Sequence, residues 1–299
     1  MRLFQRMDGR VLTGILVALS LGISLCVPVR KVQAAASRVS LLCVETVWCD
    51  VARQIGGEHL ETQVLLTAPG LDPHHFQPSP SLWRSVGQVD GFLVNGATYD
   101  DWALSFNQGK TDFLNAAVIG HWRTGEDPHL FFDPAIVKAV AVKLADWLGE
   151  KAPQDRNFYQ NNLARFENSL NELDKKLILF RQRYQGLPIA ITEPAGERLL
   201  SRTGLELIDK HWALSVMNQT GVSARETASL EQSVEKRQIH ALIVNPLVKS
   251  TQINRLLDLA AQKQIPLVMI QESLPSGLKW QDWMSQILDQ LFSALDQKR

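Results

Sequence analysis

The stretch from Tyr159 to Tyr184, YQNNLARFENSLNELDKKLILFRQRY, decides how the rest of the chain is read. Its apolar residues Tyr159, Leu163, Phe166, Leu170, Leu173, Leu177, Phe180 and Tyr184 alternate four- and three-residue steps, with charged and amide residues between them. That spacing predicts a long helix with one apolar face. Lys151-Ala152-Pro153 breaks the pattern before it, and Gly186 and Pro188 stop it. At roughly 1.5 Å per residue, such a helix spans a whole small domain. A stripe of this kind could be a coiled-coil seam that dimerises the protein. With α/β patterning on both sides, we read it as a stiff strut packed across two lobes, in a monomer.

On the N-terminal side, the apolar run Val39 to Val44 predicts a strand, followed by a helix from Trp48 to Ile55 that stops at Gly56-Gly57. Further strands are predicted over Gln63 to Thr67 and Gly91 to Asn95, with a short helix opened by Ser79-Pro80 between them. Tyr99 to Gly125 is less regular, and Asp133-Pro134 then caps a helix with Ile136, Val137, Val140, Leu144, Trp147 and Leu148 on one face. On the C-terminal side, Pro188 to Thr192, Trp212 to Val216, Ala241 to Val244 and Pro266 to Ile270 read as strands separated by helices. A last helix carries Trp280, Trp283, Met284, Ile287, Leu288, Leu291 and Leu295. The fold class is α/β: two lobes, each a mainly parallel sheet flanked by helices, joined by one long rigid helix. The expected boundaries are 1–34 for a signal peptide, 35–150 for the N-terminal lobe, 151–186 for the linking helix and 187–299 for the C-terminal lobe.

Composition narrows the function. The 31 basic and 31 acidic residues of the 299 cancel, and no basic tract or basic stripe with aromatics exists, which argues against nucleic acid. Arg2, Arg6 and Arg10 precede an apolar run from Val11 to Val29, and Ala34, Ala35 and Ala36 follow. This is the order of a secretory signal, cleaved after Ala34 or Ala36, although the run is long enough for a retained membrane anchor. Lipid attachment at Cys26 is a weaker reading, because Leu25 precedes it where a small residue is wanted. Cys43 and Cys49 then remain, either as a disulfide formed in an oxidising compartment or as two buried thiols.

Chemistry concentrates in a repeated tripeptide. Asp72-Pro73-His74 and Asp127-Pro128-His129 each present a histidine from a proline-stiffened loop. Repetition points to metal ligation, since metal sites need several held imidazoles brought to one point. In open parallel sheets ligands collect beyond the carboxyl ends of strands. Glu193 follows the Pro188 to Thr192 strand, and Glu272 follows the run Pro266 to Gln271. Two candidates lie before the long helix and two after it, which would put a metal in the cleft between lobes. His59, His121, His211 and His240 are read as surface or core residues.

These motifs, with Glu272-Ser273-Leu274-Pro275-Ser276-Gly277 and Trp283-Met284, resemble the metal-binding solute receptors of bacterial ABC importers. The resemblance covers the mature chain. It implies two α/β lobes on one long helix, a single metal held by His74, His129, Glu193 and Glu272, and no enzymatic activity. The fourth ligand is usually aspartate in that family, so Glu272 is one methylene longer. It further implies a periplasmic or otherwise exported protein that delivers its ion to a membrane permease with its ATPase. Two imidazoles and two carboxylates form a hard donor set, which favours Mn2+ or Fe2+, with Zn2+ possible. The competing readings are a secreted metallohydrolase using the same four residues, and a surface adhesin or metal buffer.

Overall fold

The structure, a computed structural model, describes residues 38–67, 72–107, 109 and 111–296, so the expected signal over 1–34 lies outside it. The N-terminal half runs β1 (Val39–Cys43), α1 (Thr46–Gly56), β2 (Leu60–Val64), α2 (Pro80–Val86), β3 (Gly91–Val94), β4 (Asp112–Asn115), α3 (Ala116–Ile119) and α4 (Pro134–Lys151). α5 (Arg156–Tyr184) follows. The C-terminal half runs β5 (Pro188–Ile191), α6 (Glu197–Arg202), β6 (Glu206–Leu207), α7 (Lys210–Met217), α8 (Ala224–Glu235), β7 (Leu242–Val244), α9 (Thr251–Gln262), β8 (Leu267–Met269) and α10 (Trp280–Asp296).

Each half holds a four-stranded sheet, ordered β2-β1-β3-β4 and β6-β5-β7-β8, and every pairing is parallel. Parallel sheets need both faces covered, and the first sheet shows how the sequence does it. Leu41 and Cys43 of β1 and Leu93 of β3 join the large core under the helices. Leu42, Phe92 and Val94 alternate with them and join a second cluster with Leu66, Val86, Ala103 and Phe106.

The eight apolar residues of the α5 stripe are all buried. At 29 residues the helix is about 44 Å long. Its N-terminal part packs on α1 and α4, where buried Asn162 donates to the Ile55 carbonyl at 2.9 Å. Toward its C-terminus Phe180 and Tyr184 pack on Phe292 of α10. The stripe is therefore used inside the chain, which leaves it no role as a dimer seam.

α10 ties the C-terminal end of the chain back to the first half. The Asp50 carboxylate of α1 accepts the Trp280 N–H at 2.8 Å, and Gln54 and Gln281 exchange amide hydrogen bonds at 3.0 and 2.8 Å. The Trp280 indole donates to the Phe131 carbonyl at 2.6 Å. Cys43, ending β1, and Cys49, in α1, form a disulfide with a Cα separation of 5.6 Å, the first of the two sequence readings.

Some expectations change. Trp212 to Val216 is part of helix α7, not a strand. A short apolar run is ambiguous between the two states, and here the position beside β5 is already taken by β6. The second strand spans Leu60 to Val64 instead of Gln63 to Thr67, because Leu60 pairs opposite Val39. β4 lies within the stretch read as irregular, and β6 is only two residues long.

Candidate metal centre

In each sheet the strand order reverses between the two central strands, and crevices open beyond the carboxyl ends at such switch points. The N-terminal half contributes loops after β2 and β4; the C-terminal half contributes residues following β5, β7 and β8.

The two histidine loops are built alike. Asp72 Oδ1 accepts the His74 N–H at 2.9 Å, and the Trp102 indole donates to the Pro73 carbonyl at 2.9 Å. Asp127 Oδ1 accepts the His129 N–H at 2.9 Å, and Asn95 Nδ2 donates to the Pro128 carbonyl at 2.9 Å. Asn95, just past β3, is itself buried, with its N–H bound by Asp100 and its Oδ1 accepting from the Trp48 indole. Tyr99 lies edge-on against both imidazoles, with ring centroids 4.8 Å from His74 and 5.4 Å from His129. The two imidazole centroids are 5.5 Å apart.

His129 is fully buried, and its Nδ1 meets Asp127 Oδ1 at 2.7 Å, which turns Nε2 toward the crevice. Glu272 Oε2 lies 3.4 Å and Glu193 Oε1 3.5 Å from that Nε2. One ligand atom each of His74, His129 and Glu272 lies within 4.8 Å of the others. Glu193 falls outside that mutual set of three but faces the same nitrogen of His129. The structure thus brings three of the sequence candidates into one cluster and sets the fourth against its central member.

Asn245 organises the carboxylates. It follows β7, is buried, and donates through Nδ2 to Glu193 Oε2 at 3.1 Å and to Glu272 Oε1 at 2.6 Å. Ala195 N–H also binds Glu193 Oε2, at 3.0 Å. One oxygen of each carboxylate is thereby tethered and the other faces His129. Sequence reading passed over Asn245, although it stands directly after an apolar strand, where the switch-point rule directs attention. Asn95, Tyr99 and the ring contact of Asp127 were passed over too, because nothing in their local sequence marks them.

Three buried ligand atoms, His74 Nε2, His129 Nε2 and Glu193 Oε1, have no hydrogen-bond partner among the described residues. Buried polar atoms are seldom left so, and this set is one that a cation would satisfy. The ionisation balance agrees. Burial pushes the Glu193 carboxyl up to about 7, opposed by His129 and reinforced by Glu272. Burial alone would depress His129, but Glu193, Asp127 and Glu272 outweigh it and hold the imidazole well above its ordinary value. Burial raises and His129 more than offsets the Glu272 carboxyl, which is lowered overall. His74 is lowered by burial and by the neighbouring His129. The shifts favour protons at His129 and Glu193 and disfavour them at His74 and Glu272, so protons compete with a cation at the first two.

A pocket of about 120 Å³ leads to the cluster, lined by Pro73, His74, Val216, Met217, Leu247 and Glu272 among others. At its rim Gln219 Nε2 lies 2.9 Å from His75 Nε2, which takes His75 away from the ligand set. His59 stacks on Phe158 and pairs with Asp155, and His211 pairs with Glu226.

Residues 42–294 match the family described as zinc-uptake complex component A, periplasmic, or ZnuA. The manganese ABC transporter substrate-binding lipoprotein PsaA of Streptococcus pneumoniae is 24% identical over 189 residues, covering 58% of this chain and 60% of that lipoprotein's length. The SBP FpvC of Pseudomonas aeruginosa, solved in complex with Mn2+, superposes with a TM-score of 0.72 at 17% identity, covering 88% of this chain and 100% of FpvC. The periplasmic zinc-binding protein TroA of Treponema pallidum gives a TM-score of 0.71 at 15% identity, covering 86% and 99%. These superpositions bear out the two-lobed parallel-sheet fold.

Proposed function

The chain belongs to the ZnuA family of periplasmic zinc-uptake components, and from that membership we propose that it is the extracytoplasmic receptor of an ABC importer. It captures one divalent transition metal between His74, His129, Glu193 and Glu272 and hands it to a membrane permease driven by an ATPase. The observation that carries this reading is the set of unpartnered buried atoms, His74 Nε2, His129 Nε2 and Glu193 Oε1, beside the Glu272 carboxylate. The relative PsaA, named as a manganese ABC transporter substrate-binding lipoprotein, supports a receptor over a hydrolase. A permease and an ATPase encoded beside this gene would separate import from adhesion or buffering.

Donor hardness supports Mn2+ or Fe2+ as the cargo. A second reading, Zn2+, is favoured by Asn245: it tethers one oxygen of each carboxylate, leaving two oxygens and two nitrogens, the number zinc prefers. Protein expressed under metal limitation, loaded in competition among the three ions and analysed for elements, should retain one ion per chain. Glu193→His should move the preference toward zinc. No retained ion, or retention unaltered by His129→Ala, would overturn the proposal.

A further inference from the structure

We propose that Arg198 is a positioning residue that braces the His129 loop from the C-terminal half and sets how fast bound metal leaves, an inference that rests on the receptor reading. Arg198 lies in α6, one tight turn after Glu193. The turn passes through Gly196 at φ +85°, where a Cβ would stand 2.9 Å from Ile270 Cδ1, so the path from Glu193 to Arg198 is short and fixed. The Arg198 side chain is only 14% exposed.

Its guanidinium reaches the loop before His129. Nε donates to the Asp127 carbonyl at 2.8 Å, and Nη2 donates to the same oxygen. Asp127 Oδ2 lies 3.8 Å, Glu126 3.6 Å and Asp133 4.0 Å from the guanidinium, which faces a pocket of about 650 Å³ on this flank. Asp127 is thus fixed at its carbonyl by Arg198, while its Oδ1 fixes the His129 N–H and ring. Two converging N–H groups on one acceptor are what a planar guanidinium provides and an ammonium does not.

One continuous segment of the C-terminal half therefore carries both a ligand, Glu193, and the brace for a ligand of the other half. A movement of this whole segment that draws Glu193 away from His129 also draws Arg198 away from the Asp127 carbonyl. Release of the ion is coupled to breaking that contact. Arg202, one turn further along α6, binds the Asp133 carboxylate at 2.7 Å and provides a control that crosses the same gap without touching Asp127.

The test is chelator-driven release of Zn2+ and of Mn2+ from the whole protein by stopped flow, with association rates and metal-free melting temperatures measured alongside. Removing a support behind a ligand typically costs about 10–100-fold in metal affinity. Arg198→Gln should place that loss in the release rate, with association little changed. Arg198→Lys, keeping the charge and a single donor nitrogen, should release at an intermediate rate, and Arg202→Gln should release like wild type. Release from Arg198→Gln within about twofold of wild type, well below that range, would overturn the proposal. So would Arg198→Lys equal to wild type, a reading that survives even if Arg198→Gln does not fold. Equal acceleration in Arg202→Gln would mean that the whole contact matters and Arg198 has no special part. A wild-type chain that takes up neither ion would overturn the receptor reading, and this inference with it.

Discussion

In both Asp-Pro-His loops the aspartate accepts the histidine N–H at 2.9 Å and a distant side chain donates to the proline carbonyl at 2.9 Å. Beyond the backbone the loops part. Asp127 also grips the His129 ring, at 2.7 Å, whereas the Asp72 carboxylate stands 3.9 Å from the neighbouring His75 ring and makes no such bond to the His74 ring among the described residues. Carboxylates raise the His129 pKa, while burial and the His129 charge lower that of His74. A tripeptide can specify a turn, but the charge a ring carries comes from what the fold packs around it.

The largest expected effect separates the two aspartates. Asp127→Asn replaces the carboxylate that orients the His129 ring with a neutral amide, losing the charge behind that bond, and should lower metal affinity by about 10–100-fold. Asp72→Asn should lower it a few-fold, because only the turn is weakened. Chelator competition on both variants checks this; equal losses would break the distinction between the loops. Next in size is Asn245→Ala, which frees Glu272 Oε1 and leaves Glu193 Oε2 with the Ala195 N–H alone, and should cost about tenfold in affinity. An affinity equal to wild type would show that Glu193 and Glu272 need no tether.

How much of this was legible in the sequence follows the same division. The α5 stripe was readable residue by residue, since a helical period of apolar side chains has one way to be buried. The histidine loops were readable because proline and aspartate act locally. Glu193 and Glu272 could be placed at strand ends, yet their approach to His129 depends on how two sheets face each other, a relation between residues 64 and more positions apart. Asn245 was missed for a different reason: its two bonds reach Glu193 and Glu272 at the ends of other strands of its own sheet, and neither contact leaves a local trace. Trp212 to Val216 was misread as strand because five apolar-rich residues satisfy either period, and the sheet had no place for them.

A smaller effect sharpens the comparison through pH. The folded pKa of His74 lies below its unfolded value near 6.5, so in that window the unfolded chain binds the extra proton and His74 makes the metal-free protein less stable as pH falls. His129 has the opposite sign: its contribution is complete below about pH 6.5 and is lost as pH rises through its raised folded pKa. Glu193, raised to about 7, likewise stabilises the metal-free fold at low pH and ceases to as pH climbs toward 7. Metal needs neutral imidazoles and ionised carboxylates, so affinity should rise over the range in which His129 and Glu193 lose their stabilising effect. Melting of the metal-free protein against pH should change slope in opposite directions for His74→Ala and His129→Gln, by up to about 1.4 kcal/mol per pH unit each. NMR of the imidazoles should find His129 still protonated when His74 is neutral; slopes of the same sign would show the rings to be alike after all.

The smallest expected effect isolates one proline carbonyl. Trp102→Phe keeps a ring against Phe76, whose centroid lies 4.8 Å away, but removes the indole N–H that holds Pro73. A neutral hydrogen bond contributes about 1 kcal/mol net, so metal affinity should fall only a few-fold. The location of the change is more informative than its size. Hydrogen exchange at the His74 amide should quicken, because the turn closed by Asp72 loses its second support, while the His129 amide, whose proline is held by Asn95, should exchange as before. If both amides quicken together, the two loops open as a single unit through Tyr99, which touches both rings, and the independence drawn between them fails.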